Sequence, residues 1–175
     1  MSKPLIIVES PAKAATIKKY LGGEFEVEAS AGHIKDLPER TLGVDVERDF
    51  DLKFEIVRGK KKIVDRLKKA AAAADAVFLA PDPDREGEAI AWHIQEEICD
   101  SAPRVERVLF HEITRDAVRR AIESPRPLDV RMYQSQLARR TLDRLVWYQI
   151  SPLLWRKVQG GLSAGRVQSD RKSVV

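Results

Sequence analysis

Only one cysteine, Cys99, and three histidines occur among the 175 residues. An internal disulfide is therefore impossible, and a thiolate zinc site has too few ligands. No apolar run approaches the roughly 18 residues that mark a membrane span. Met1-Ser-Lys-Pro4 lacks the apolar stretch of a secretory leader, so the cytoplasm is the expected compartment. There is no G-x-x-x-x-G-K-[ST] loop and no G-x-G-x-x-G after a strand, which removes support for an ATPase or a dinucleotide-dependent oxidoreductase. Internal repeats are missing too. What the chain does have is 43% hydrophobic residues, enough for a core, and 33% charged residues, enough for a solvated surface. The net charge of +4 is unevenly spread. Residues 129–168 carry seven Lys/Arg against two Asp, while the first 128 residues are slightly acidic. This asymmetry suggests two parts with different tasks.

Read in order, Leu5–Val8 is a short continuous apolar run, as in a strand covered on both faces. Ser10-Pro11 is an N-cap and first-turn pair, predicting a helix to about Leu21 that Gly22-Gly23 stops. Phe25–Ala29 alternates as an exposed strand would, and Ala31-Gly-His33 reads as a turn. Residues 35–51 show no period and predict an excursion with little regular structure. Leu52–Val57 predicts a strand and Lys60–Ala74 a helix. Ala76–Ala80 and Arg104–Phe110 predict further strands. Gly87–Cys99 has helical spacing with Ala91, Ile94 and Ile98 on one stripe, and Thr114 caps a helix to about Glu123. Strands alternating with helices argue for an α/β fold, a parallel sheet with helices on both faces. Ser124-Pro-Arg-Pro127 marks a boundary. From Asp129 to about Lys157 a long basic helix is expected, bent at Ser151-Pro152, followed by a flexible Gly160–Gly165 loop.

The densest signal is Pro81-Asp-Pro-Asp-Arg-Glu-Gly-Glu88, four carboxylates directly after an apolar strand. Such crowding is unfavourable without a positive charge among them. In parallel α/β sheets ligands bind beyond the carboxyl ends of strands. Glu9 ends one predicted strand and Asp82 and Asp84 follow another, so neighbouring strands would bring three or four carboxylates into one crevice. Oxygen ligands without His or Cys suit Mg²⁺. For Glu86 and Glu88 the alternative is simple placement in a helix first turn, where acidic residues are favoured. The helix start at Ser10 offers free N–H groups to an anion, and Lys13 adds a charge, although capped helix starts are common. By chemistry alone, His33 reads as a solvated turn residue.

Seven motifs lie in a fixed order: V-E-S-P-A-K (8–13), A-G-H-I-K-D-L-P (31–38), D-P-D-R-E-G-E-A-I-A-W-H (82–93), F-H-E-I-T (110–114), A-R-R-T-L-D-R (138–144), S-P-L-L-W (151–155) and G-L-S-A-G-R-V-Q-S (161–169). Together they resemble the start of bacterial DNA topoisomerase I, the type IA topoisomerases, over nearly the whole chain. The resemblance implies a metal-binding TOPRIM domain over residues 1–127. Residues 128–169 would then begin the helical domain that holds single-stranded DNA. It implies that Glu9 acts at the scissile phosphate, as metal ligand or as proton donor to the leaving 3′ oxygen. Asp82, Asp84 and Glu86 would form the acidic triad for Mg²⁺, and Lys13 would stabilise the phosphate. His33, Arg139, Arg140, Asp143, Tyr148 and Trp155 match positions that contact DNA or the active site, and Ser163, Ala164, Gly165, Arg166, Val167 and Gln168 match a backbone-contacting loop. The implied partner is a single-stranded segment of underwound duplex, with no membrane and no nucleotide cofactor. Arginines for phosphates and an aromatic for stacking agree with the charge split. Asp143 also reads as an i,i+4 partner of Arg139.

Two features depart from the family. The G-x-I-T-Y-x-R-T-D-S motif that holds the nucleophilic tyrosine is absent, and Tyr20, Tyr133 and Tyr148 have none of its neighbours. Residues 170–175, Asp-Arg-Lys-Ser-Val-Val, replace the expected apolar helix and read as an atypical tail. The expectation is therefore an N-terminal part of the enzyme, inactive alone, with apolar surface exposed along residues 137–155. Two other readings use the same residues. One is a stand-alone TOPRIM nuclease or primase-like phosphotransferase with a metal-activated water. The other is a DNA-binding module whose acidic turn is structural.

Overall fold

A computed structural model describes residues 2–165. The chain divides into two compact units. The first comprises the chain through Asp36 together with Ile56–Gln134; the second comprises Leu37–Glu55 and the chain from Ser135 onward. These limits differ from the boundary expected at Ser124–Pro127. Arg126 forms an antiparallel bridge with Arg107, which keeps that segment with the first unit.

The first unit is built on strands β1 (Leu5–Val8), β2 (Glu26–Ala29), β7 (Val77–Leu79) and β8 (Val105–Arg107), in the order β2-β1-β7-β8. Every pairing is parallel, with Leu5 level with Glu26 and Val77, and Val77 level with Val105. Successive side chains of a strand point to opposite faces, so β1 and β7 feed two cores. Leu5, Ile7, Val77 and Leu79 pack with Val64 and Leu67 of α2 (Lys61–Ala73) and with Ile90, Ala91, Ile94 and Ile98 of α3 (Arg85–Ile98). Ile6, Val8, Phe78 and Ala80 pack with Ile17 and Leu21 of α1 (Pro11–Leu21) and with Val118 of α4 (Arg115–Glu123). The α/β class read from the sequence is the one observed. Each fully buried aliphatic side chain contributes about 1.5–3 kcal/mol, and the four residues of β1 are all buried.

Local signals explain most element ends. Ser10 Oγ accepts from the Lys13 N–H at 3.3 Å, and Pro11 opens α1. Thr114 Oγ1 accepts from Ala117 N–H at 3.3 Å at the start of α4. The expected helix at Gly87 begins two residues earlier, at Arg85, because Asp84 caps it. Residues 35–57 hold only two-residue strands: β3 (Lys35–Asp36), β4 (Val44–Asp45), β5 (Asp51–Leu52) and β6 (Glu55–Ile56). The single strand expected over Leu52–Val57 is thus divided. β5 pairs with β4 and β6 with β3, so the alternation spans two separate pairings.

Helix α5 (Val130–Lys157) starts in the first unit and continues in the second, with Pro152 inside it. In the second unit Arg144 of α5 donates to the carbonyls of Thr41 and Leu42 at 3.0 and 3.1 Å. This is why residues 37–55 group with the helix rather than with the sheet.

Candidate functional site

The pairing of β1 with β7 places the residues that follow them side by side. Glu9 follows Val8, and the acidic turn follows Leu79. Lys13, one helical turn beyond Glu9, has its ammonium paired with both Glu9 and Asp82. Burial works against that charge, but the hydrogen bonds to Asp82 and Glu9 outweigh it and raise the Lys13 pKa above the ordinary lysine value. The cation that the acidic turn requires is therefore in part supplied by the protein itself. The second Glu9 oxygen, Oε2, is buried and has no hydrogen-bond partner.

The other carboxylates are placed differently. Asp84 Oδ1 accepts from Gly87 N–H at 2.7 Å and caps α3. Glu86 lies exposed in the first turn of α3. The expected convergence of three or four carboxylates does not occur: among the described residues no group of three or more His, Cys, Asp or Glu could hold a metal ion. The physical reason is that the free N–H groups of α3 draw Asp84 into a cap, and Lys13 stands between Glu9 and Asp82. The donor set still fits Mg²⁺, which keeps several waters and is commonly bound by only one or two carboxylates plus substrate phosphate. Glu9 Oε2, buried and unpartnered, has the chemistry such an ion requires.

Sequence reasoning missed what fixes the turn. Glu88 and Arg107 are 1% and 0% exposed and form an ion pair of 2.9 Å. Arg107 also donates to the carbonyls of Leu79, Pro81 and Val108 at 3.0, 3.0 and 2.9 Å, and to that of Asp82 at 2.8 Å. The backbone of the acidic turn is thereby tied to β8. Gly87 belongs to the same arrangement, because a Cβ there would lie 2.0 Å from the Asp82 carbonyl oxygen. Two signals were available. Glu88 extends the Ala91–Ile94–Ile98 stripe backward at helical spacing, and Arg107 stands directly before the apolar Val108-Leu-Phe110 run.

His33 is half-buried, next to a turn in which Ala31 and Gly32 both have positive φ, 54° and 87°. Gly32 N–H donates to the Glu9 carbonyl at 2.7 Å, so the turn is attached to the end of β1. Lys60 donates to the Ala31 carbonyl and Arg66 Nη2 to that of Ala29 at 3.1 Å. Trp92 of α3 stacks on Tyr133 with ring centroids 4.4 Å apart, and the His93 ring meets Tyr133 edge-on at 5.9 Å. Burial lowers the His93 pKa to about 4 and raises that of Tyr133 to about 12.

In the second unit the basic helix holds its own contacts. Arg139 Nε lies 3.9 Å from Asp143, the i,i+4 pairing anticipated from spacing. Arg140 is half-buried beside them. The Arg144 guanidinium lies 5.0 Å from the centre of the Tyr148 ring. Trp155 Nε1 donates to the Leu162 carbonyl at 2.5 Å, and Trp147 Nε1 to Ser163 Oγ at 3.0 Å. Ala164 N–H donates to Ser151 Oγ at 3.1 Å, and Gly165 N–H to Ser163 Oγ at 3.3 Å. The loop through Gly165 is therefore fastened to α5. Arg166, Val167 and Gln168, and the 170–175 tail, lie outside the described residues. Leu142, Leu153 and Val158 are exposed on or just beyond α5.

The Toprim domain family matches residues 4–113. The chain belongs to that family. Full-length topoisomerase I from Thermotoga maritima shares 52% identity with it at a TM-score of 0.86, over 94% of this chain and 28% of that one. The likeness therefore continues beyond the Toprim match into the helical unit, while the chain spans only about a quarter of that relative. In the Toprim portion, Glu9 and Asp82 lie at the ends of adjacent parallel strands, with Lys13 between them. Among the described residues, no helix is long and apolar enough to cross a membrane.

Proposed function

We propose that this chain is the N-terminal part of an ATP-independent type IA topoisomerase. The whole enzyme would relax negatively supercoiled DNA by cleaving one strand transiently through a 5′-phosphotyrosine. The likeness to topoisomerase I across 94% of the chain carries this reading, because a Toprim domain alone would leave the helical unit unexplained. Glu9 and Asp82 would hold Mg²⁺, with Asp84 and Glu86 adding negative charge beside it, and the ion would supply positive charge against the phosphodiester. Lys13, kept protonated by its carboxylate partners, faces the same phosphate. As the tyrosine oxygen gives its proton to solvent and bonds to phosphorus, the P–O3′ bond breaks and the leaving 3′ oxygen takes a proton; Glu9 would serve either as that proton donor or as a metal ligand, not as both at once. His33, Arg139, Arg140, Asp143, Tyr148, Trp155 and the 163–168 loop would contact single-stranded DNA. The protein would work in the cytoplasm on the nucleoid.

The nucleophile is not among these 175 residues. Tyr133 is buried with a pKa of about 12, and Tyr148 lies against Arg144. Neither they nor Tyr20 stand in the family's tyrosine motif. The 175-residue chain should leave supercoiled plasmid unrelaxed and give no protein-linked band with end-labelled single-stranded DNA on a denaturing gel. The full product of the gene should relax plasmid with Mg²⁺ and without ATP. A protein-linked band from the 175-residue chain that disappears with Tyr20→Phe, Tyr133→Phe or Tyr148→Phe overturns the reading.

A further inference from the structure

Glu88 does more than neutralise Arg107. Its Oε2 accepts from Arg107 Nε at 2.9 Å, while its Oε1 accepts from the backbone N–H of Asp129 at 2.7 Å. Asp129 is where α5 begins: its Oδ1 accepts from the N–H groups of Arg131 and Met132 at 2.9 and 3.1 Å. One buried carboxylate thus joins two backbone segments. Through the Arg107 fork it reaches the carbonyls of Leu79, Pro81 and Asp82, and directly it reaches the cap of α5.

We propose that the Glu88–Arg107 pair is a positioning device that sets the acidic turn for its cation and links the state of that turn to the first turn of α5. Neither residue would touch metal or DNA, since both are enclosed in the fold. The inference rests on the metal reading of Glu9 and Asp82 given above. Its physical basis is geometric. A planar guanidinium with five donors in a fixed fork can hold several carbonyls and a carboxylate at once, and a lysine ammonium cannot. The Asp82 backbone is also confined from the other side by Gly87, so the turn has little room to relax by itself. A buried polar network with all members satisfied is rigid, and displacing one member displaces the rest. A cation drawing Asp82 toward itself would pull on the carbonyl held by Arg107, and so on the carboxylate that holds Asp129.

Two measurements on the 175-residue chain test this. The first is the Mg²⁺ affinity of wild type, Arg107→Lys and Glu88→Gln, read from the Mg²⁺ dependence of the melting temperature. Arg107→Lys keeps the charge and loses the fork, while Glu88→Gln keeps an acceptor and loses the charge. Both should weaken Mg²⁺ binding at least tenfold. Val118→Ala, a core change on the opposite sheet face, should lower the melting temperature and leave the affinity within about twofold. The second needs no variant. Addition of Mg²⁺ to wild type should slow hydrogen exchange at the Asp129 amide together with the Gly87 amide. Unchanged affinity in a folded Arg107→Lys or Glu88→Gln protein overturns the positioning role. Slowed exchange at Gly87 with none at Asp129 overturns the link to α5. Wild type that binds no Mg²⁺ overturns the metal reading itself, and this inference with it.

Discussion

Lys13 reaches from the first turns of α1 to Asp82 beyond β7, and the same ammonium pairs with Glu9. An internal cation therefore stands where the carboxylates of two adjacent strands approach each other. Removing it should expose their repulsion. Lys13→Met is expected to melt at lower temperature than wild type in EDTA, by an amount equivalent to about 1 kcal/mol for a partly exposed pair. It should also gain more from added Mg²⁺, because the ion then neutralises charge that nothing else offsets. Thermal melts with and without Mg²⁺ give both numbers. A variant that responds to Mg²⁺ as wild type does would mean that lysine and metal do not share one electrostatic site.

Asp84 caps α3, and in the proposed metal site it would also offer charge to a cation. Asparagine caps a helix about as well as aspartate, whereas alanine costs about 1 kcal/mol. Asp84→Ala should lower stability by roughly that amount in EDTA, and Asp84→Asn should hardly change it. Combined with Asp82→Asn, Asp84→Asn should remove the Mg²⁺-induced rise in melting temperature, worth about 2.7 kcal/mol in wild type at 100 times Kd. An undiminished rise in the double variant would put the metal elsewhere.

His93 should make the first unit acid-sensitive. Its pKa is about 4 folded against 6.5 unfolded. Between those values the unfolded chain binds more protons, so stability rises with pH through this window, is complete above about 6.5, and is lost as pH falls toward 4. The full effect is on the order of 3 kcal/mol. Burial dominates the shift. Glu96 and Asp36 oppose it, and His33 and Lys35 reinforce it. Urea unfolding at a series of pH values should show a shallower slope for His93→Gln between pH 6.5 and 4 than for wild type. Parallel slopes would assign the acid sensitivity to other groups.

The basic helix should bind single-stranded DNA chiefly through phosphates. Arg139→Ala and Arg140→Ala should each weaken binding and lower the slope of log K against log salt by roughly 0.7, the single-strand value per neutralised phosphate. Fluorescence anisotropy with a labelled oligonucleotide at several salt concentrations measures this. Wild-type affinity and slope in both variants would show that α5 is not the DNA site of this chain.

The parts of the fold that were legible in the sequence are those with local causes. Ser10-Pro11 and Thr114 mark helix starts through their own side chains, and the apolar runs of β1 and β7 reflect burial on both faces. The pairing of Arg139 with Asp143 follows from helical spacing alone. What escaped depends on residues far apart in the chain. Arg107 meets Glu88 across 19 positions, and Arg144 meets Leu42 across 102. Helical spacing puts Glu88 on the buried stripe of α3, but no periodicity names the partner of either residue. The carboxylates of the acidic turn stay apart for a local reason that charge crowding does not reveal: the α3 N–H groups demand a cap, and Asp84 answers that demand.

Residues 37–55 leave the first unit and come back to it almost where they left. Val57 N–H donates to the Ile34 carbonyl at 2.9 Å, so the two ends of the excursion are already held together. The chain entropy of closing that loop is met by contacts of the first unit, whatever the loop contains. The segment thus has the character of a replaceable insert. The sheet, its four flanking helices and the Glu9–Lys13–Asp82 cluster should survive its exchange for a short Gly-Ser bridge, while the carbonyls that hold Arg144 would be lost with it.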